Sequence, residues 1–284
     1  VWRIRPRFNE KVNEWWISDE ARFGWNHVHR DDRMNVVATR QNGQLKTDRW
    51  EALPGLIGAQ LQDAAKAGEG AAVACVLSPM LSSEEAYLLA TFVRGIAPKA
   101  TLALGFVPVK GQDQTFPKGF VIKAEKCPNR RGVETIIKHL GGPSATWDEF
   151  QKKAVEGAFK AAYVTGGYPE AWVKPAAAAA CAKIGFLVAH DLFASPLCET
   201  ASVVIPGATW VEREGTFMNC DGLVQAFERA LPPIEGVKAE GQFFAELAGG
   251  GGLFRAAKVR ETMAAKMPEF ASVFEPRPEP EHAH

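Results

Sequence analysis

The most constraining feature of this chain is an apolar run, AAVACVL at 71–77, set between two helix signals. A strand that is apolar at every position is buried on both faces, the usual state of parallel strands covered by helices on both sides. Directly after it, Ser82, Ser83, Glu84 and Glu85 stand in the order of a capping box, and Ala86, Leu89, Ala90 and Val93 then recur at helical spacing. Pro98 ends that helix, and 101–107 reads as a second strand. A strand, helix and strand in this order predict a right-handed parallel crossover.

The alternation extends in both directions. A helix is expected over 48–67; 108–131 is polar and marked by Gly and Pro, with an apolar island at 119–122; a short helix over 132–140 stops at Gly141 and Gly142. Past Pro143, Thr146 and Glu149 cap another helix, then 160–165 reads as a strand, 175–183 as a helix, and 184–190 and 201–206 as strands. Two more helices, near 238–247 and over 253–266, flank the four glycines 249–252. The expected fold is therefore α/β, with two Rossmann-like lobes and parallel sheets at 48–143 and 144–270. Residues 1–47, in which Trp2, Trp15, Trp16, Phe23 and Trp25 alternate with Arg and Asp, read as an irregular lobe packed by aromatics, and 271–284 as a disordered Pro- and Glu-rich tail. No repeat of fixed period occurs.

Composition excludes some partners. Lys plus Arg and Asp plus Glu each number 33, so there is no net field to attract nucleic acid or an anionic membrane. No apolar run approaches the roughly 20 residues that span a bilayer, so direct membrane insertion is not expected. The chain opens on a basic, aromatic segment without Met, which suggests a trimmed chain or a piece of a longer one. Its five cysteines, Cys75, Cys127, Cys181, Cys198 and Cys220, are scattered without a CxxC pair and fit reduced thiols in a cytoplasmic protein. Such a chain could also lie against the inner membrane through a complex.

Three segments carry a family resemblance. Pro6 to Gly24, containing NEWWISDEARFG, resembles a stretch of the large iron-sulfur subunit of NADH:quinone oxidoreductase. The run AEKCPNRRG at 124–132, with Asp113, Thr115 and Phe116 before it, looks like a linking loop of that subunit. Val164 to Gln225, with VTGGYPE and LVAHDLFASPLCETASVVIPGATWVEREGTFMNCDGLVQ, resembles the C-terminal half of molybdopterin oxidoreductases and their degenerate relatives. The resemblance implies a molybdopterin-oxidoreductase-like fold with a partial iron-sulfur lobe in front. It also implies a noncatalytic scaffold portion of an NADH dehydrogenase, whose partners are the other subunits of that complex. The alternatives are a fragment of a molybdenum or tungsten bis-pterin oxidoreductase such as formate dehydrogenase, or a module that binds another nucleotide.

The candidate site residues follow from that resemblance and from chemistry. Ser18 stands where some relatives have a cluster-ligating cysteine, and a hydroxyl protonated near neutral pH is a poor iron ligand, so no metal is expected here. Any iron-sulfur cluster would then lie upstream of Val1 or in partner chains. Gly166 and Gly167 follow a strand, where glycine lets backbone approach a phosphate, and Asp191 ends the next strand, where a carboxylate could accept from a guanine or a ribose. With Thr216 and Asn219 in the polar loop beyond, these form a vestigial pocket in which no catalytic residue and no bound cofactor are expected. Glu199 and Thr200 lie in a run that the family uses to shape its pterin pocket, Glu212 and Glu214 belong to the same polar loop as Thr216, and Leu223 replaces an arginine common in relatives. A chain of 284 residues also leaves no room for the insertions that enclose a bis-pterin. His27 and His29, beside Asp31 and Asp32, read as a solvated surface rather than a metal site.

Overall fold

The computed structural model of the chain describes residues 1–10, 13–117 and 121–274. Helix α1 (Asp19–Phe23) precedes strands β1 (Ala38–Gln41) and β2 (Gln44–Thr47), helix α2 (Leu53–Ala67), β3 (Val73–Leu77), α3 (Ser83–Ile96) and β4 (Thr101–Leu104). A ribbon of β5 (Gln114–Thr115) and β6 (Val121–Ile122) leads to α4 (Arg130–Leu140), β7 (Ser144–Ala145), α5 (Trp147–Val155) and β8 (Ala161–Thr165). Then come α6 (Pro175–Cys181), β9 (Phe186–Asp191), α7 (Pro196–Thr200) and β10 (Val203–Pro206). The chain continues through β11 (Gly215–Met218), β12 (Val224–Phe227), α8 (Glu240–Leu247), α9 (Ala256–Lys266) and a 3₁₀ segment, Pro268–Phe274.

Eight strands form one sheet in the order β2-β1-β10-β9-β8-β3-β4-β7. From β10 across to β7 every pairing is parallel, and the crossover from β3 to β4 is the one the sequence predicts. The mixed α/β architecture with a largely parallel sheet is the expected class. The strands expected on either side of position 143 meet in this single sheet, because β8 pairs with β3 from Val73↔Ala161 to Val76↔Val164. Alternation along a chain specifies elements, but not which strands become neighbours.

The period of two along each strand divides the core into two layers. Cys75, Leu77, Tyr163, Val188 and Ile205 face one side, where α2, α3 and α8 contribute Leu61, Leu89, Phe243 and Phe244. Ala74, Val76, Val164, Leu187 and Ala189 face the other, against Trp147, Phe150, Trp172 and the alanines of α6. Both expected capping boxes are formed: Glu85 N–H donates to Ser82 Oγ at 3.2 Å, and Glu149 N–H to Thr146 Oγ1 at 3.3 Å.

Two stretches differ from expectation. Residues 38–47, expected within the irregular lobe, form the β1–β2 hairpin, with β1 antiparallel to β10. Asn42 and Gly43 make its turn at φ 52° and 82°, both left-handed, as a type I′ turn requires. The first residues of the expected tail also belong to the folded body, since the segment Pro268–Phe274 runs through them and Val273 packs against the core. The remainder of that tail, 275–284, and positions 118–120 of the expected polar stretch lie outside the described residues. Among the described residues no helix is long and apolar enough to cross a membrane.

Candidate functional site

The connections leave β3 toward β4 on one side and β8 toward β9 on the other, so the crevice outside the carboxyl ends of β3 and β8 is the topological switch point of the sheet. Open α/β sheets bind ligands at that place. Gly166, Gly167 and Asp191 all reach it. Thr165 ties the two strand ends together: its Oγ1 donates to the Val76 carbonyl at 2.8 Å and accepts from Ser78 N–H at 2.8 Å.

Asp191 closes the crevice from the side of β9. Its Oδ1 accepts from the N–H groups of Gly167 and Leu192, each at 2.8 Å, and its Oδ2 accepts from the Trp172 indole at 2.7 Å. The carboxyl is 4% exposed, and burial pushes its pKa up to about 6 against the opposing pull of those three donors. Gly166 packs so tightly on the carboxylate that an added Cβ would overlap it. Tyr168 and Trp172, with ring centroids 4.7 Å apart, fill the space beyond, and Trp147 stands 5.3 Å from Trp172. Tyr168 Oη also donates to the Phe106 carbonyl. The glycines therefore serve contact with the chain's own Asp191 carboxylate and, at Gly167, with Met80.

The other two expected pocket residues lie elsewhere. Thr216, in β11, is fully buried, and its N–H and Oγ1 donate to Glu84 Oε2 at 2.7 and 3.0 Å. Asn219 is half-buried at the tip of the β11–β12 hairpin, where its Oδ1 accepts from Asp221 and Leu223 N–H. It lines a cleft of about 180 Å³ together with Cys127, Met218 and Cys220. A larger cleft, about 570 Å³, lies between Arg7, the hairpin residues Ala226 and Phe227, and Arg255 and Arg260 near the start of α9. Glu214 caps α9 by accepting from Ala256 N–H at 2.8 Å, and Thr200 Oγ1 donates to the Leu197 carbonyl.

On the opposite face of the sheet the structure holds charge that the sequence reading missed. Arg33 forms a two-pronged pair with Glu212 at 2.8 and 2.6 Å, with both side chains 2% exposed. Arg213 donates to Glu85 at 3.0 Å and lies 3.7 Å from Glu240, while Arg260 pairs with Glu84 at 2.9 Å. His190, next to Asp191 but on the other face, is hydrogen-bonded through Nδ1 to Tyr163 Oη (3.0 Å). Burial first, and Arg213 second, depress its pKa to about 3, so it is neutral. Glu84 and Glu85 were visible in the sequence only as members of a capping box. Their ion-pair partners are more than 120 residues away and leave no local pattern.

At the other end of the molecule, Ser18 is the N-cap of α1, its Oγ accepting from Ala21 N–H at 3.2 Å. No cysteine stands in residues 1–26, so this segment offers no thiolate set for a four-iron cluster. His27 Nδ1 bonds the Gly24 carbonyl, and burial lowers the pKa of that ring. No group of three or more His, Cys, Asp or Glu among the described residues is arranged to hold a metal. At the switch crevice every donor facing Asp191 is already used, and aromatic rings occupy the space, so the residues present do not fit a pterin there.

Comparison with known proteins agrees with this architecture. Residues 133–249 match the family described as molybdopterin oxidoreductase, and residues 1–26 the 4Fe-4S domain described as NADH-ubiquinone oxidoreductase NDSU1/NuoG-like. The NADH-ubiquinone oxidoreductase 75 kDa subunit of Reclinomonas americana is 46% identical over 63 residues, 22% of this chain and 9% of that protein. Formate dehydrogenase H of Escherichia coli (strain K12) is 27% identical over 162 residues, 51% of this chain and 22% of that protein. A subunit of the NADH-quinone oxidoreductase of Rickettsia felis is 32% identical over 95 residues, 33% of this chain and 13% of that protein. The chain thus spans less than a quarter of the length of each. Among solved structures, acetylene hydratase from Pelobacter acetylenicus superposes with a TM-score of 0.53 at 10% identity, covering 96% of this chain and 67% of that one, a likeness of fold alone. The resemblance carried by Pro6 to Gly24 and Val164 to Gln225 is borne out: the chain is similar to the large iron-sulfur subunit of NADH:quinone oxidoreductase and, over residues 133–249, to the molybdopterin oxidoreductase family.

Proposed function

We propose that this chain is a portion of the large iron-sulfur subunit of an NADH dehydrogenase (quinone), in which it acts as a noncatalytic scaffold. It supports electron transfer from NADH by positioning neighbouring chains that carry the clusters, and it reaches the membrane only through that complex. The observation that carries the reading is the closed switch crevice. A cofactor held there would need Asp191 and the backbone after β8 to face outward, whereas Asp191 is spent on Gly167, Leu192 and Trp172. Hydrogen bonds made entirely within the chain support a structural role for this buried carboxylate.

The test is to tag the chain in its native host, isolate the assembly that contains it, and follow NADH oxidation by a quinone. NADH:quinone activity should migrate with the chain. An Asp191→Asn variant should lower the amount of assembly recovered and leave turnover per assembled complex unchanged. Turnover that collapses in fully assembled material would place chemistry at Asp191 and overturn the scaffold reading.

A second reading is a fragment of a molybdenum or tungsten enzyme of the formate dehydrogenase type, favoured by the match to formate dehydrogenase H over 51% of the chain. Formate-dependent reduction of a viologen dye by the isolated assembly separates the two, and the scaffold reading expects none.

A further inference from the structure

The buried charges on the α3 side of the sheet do not balance. Four carboxylates, Glu84, Glu85, Glu212 and Glu240, face three guanidiniums, those of Arg33, Arg213 and Arg260. Arg33 and Glu212 pair with each other, as do Arg260 and Glu84, the latter with two further bonds from Thr216. Arg213 is left to serve both Glu85 and Glu240. Glu85 is fully buried, Glu240 is 3% exposed, and one oxygen of Glu85, Oε1, has no hydrogen-bond partner. Among the described residues, nearby groups supply no further cation: His190 on β9 is held neutral, and the phenol of Tyr163 on β8 stays protonated because burial raises its pKa well above the ordinary value. Two buried carboxylates that share one cation are stabilised when one of them takes up a proton.

We propose that Glu85 and Glu240 form a proton-binding site at the joint between α3 and α8, which takes up one proton and thereby tightens the docking of α8. The position gives the site mechanical leverage. Glu240 is the first residue of α8, and the next turn buries Phe243 and Phe244 completely in the main core. Glu240 also accepts from Ala208 N–H at 3.3 Å, so its charge state acts on the loop after β10 as well. Burial, with the repulsion of Glu85, pushes its pKa up to about 7 despite the attraction of Arg213. A group raised in the folded state adds stability below its unfolded value, here 4.5, and loses it as the pH rises through about 7.

Carbon-13 NMR of the glutamate carboxyls in the full chain, followed from pH 5 to pH 9, tests the site, together with hydrogen exchange of the α8 amides. One carboxyl should titrate within about a unit of neutrality and be missing in Glu240→Gln. After correction for intrinsic exchange, α8 protection in the wild type should fall about tenfold between pH 6 and pH 8, and in Glu240→Gln it should stay level. Glu85→Gln gives an independent arm should Glu240→Gln fail to fold: with the guanidinium to itself, Glu240 should titrate at least about one unit lower. The proposal is overturned if every glutamate titrates below about pH 5.5 in the wild type, or if α8 protection falls equally in Glu240→Gln.

Discussion

Replacing Gly166 with alanine adds one methyl group at the most tightly closed point of the switch crevice. The backbone of Gly166 is outside the left-handed region, so alanine brings no φ penalty, and the whole cost is the collision of its Cβ with the Asp191 carboxylate. That carboxylate is pinned by three hydrogen bonds, and releasing any one leaves a buried donor unsatisfied at about 1–3 kcal/mol. A smaller adjustment of the packed core costs about 1–3 kcal/mol, so the expected destabilisation is ~2 kcal/mol. In a thermal melt of a protein of this size that lowers Tm by about 3 °C. Urea unfolding of a double-mutant cycle gives the cause: in Asp191→Ala, which removes the obstructing atoms, the cost of Gly166→Ala should fall below ~0.5 kcal/mol, a coupling above ~1.5 kcal/mol. In Asp191→Asn, which keeps the bulk, the cost should remain. If Gly166→Ala costs nothing, or costs the same in the Asp191→Ala background as in the wild type, the crevice is not sealed in the way described.

Asp191 itself predicts a pH dependence. Its folded pKa, about 6, is raised above the ordinary 3.8, so its contribution to stability is complete below about pH 4 and is lost as the pH rises through about 6. Equilibrium denaturation from pH 4 to 8 should show that loss in the wild type and a smaller one in Asp191→Asn, and identical profiles would refute it. Breaking the buried Arg33–Glu212 pair from one side, as Arg33→Met, should destabilise the chain by about 3–5 kcal/mol, because Glu212 is left charged and unpaired. The double variant Arg33→Met with Glu212→Leu should recover most of that loss in the same urea assay, and additive losses would show that the charges are not coupled.

Much of the fold was legible because its signals are local. The all-apolar run of β3, the Ser82 and Thr146 capping boxes, and the glycines after α4 each specify an element within a few residues. The β1–β2 hairpin had its Asn42–Gly43 turn in plain view, but its flanks are short and β2 is exposed throughout, so no alternation of apolar and polar residues marked them as strands. Sheet order was not readable, because β3 and β8 are adjacent in space yet some 85 residues apart, and no periodicity encodes which strands pair. At the site, Gly166, Gly167 and Asp191 were readable as residues that follow or end strands, and the structure brings them together at the carboxyl edge. The sequence could not show that Trp172 and Tyr168 fill the gap, since a tryptophan in an irregular loop has no pattern to fix where its ring goes. Thr216 and Asn219 were grouped with that edge through the family resemblance, and the β11–β12 hairpin carries them instead to Glu84 and to a surface turn.

The central claim, that this chain contributes structure rather than a pterin centre, is tested most directly by metal content. The assembly containing the chain should be isolated in its native context, and molybdenum and tungsten measured by mass spectrometry against quantitative amino-acid analysis of this polypeptide. Both metals are predicted to fall far below one atom per chain, with iron carried by the cluster-bearing partners. Molybdenum or tungsten near one atom per chain would contradict the claim.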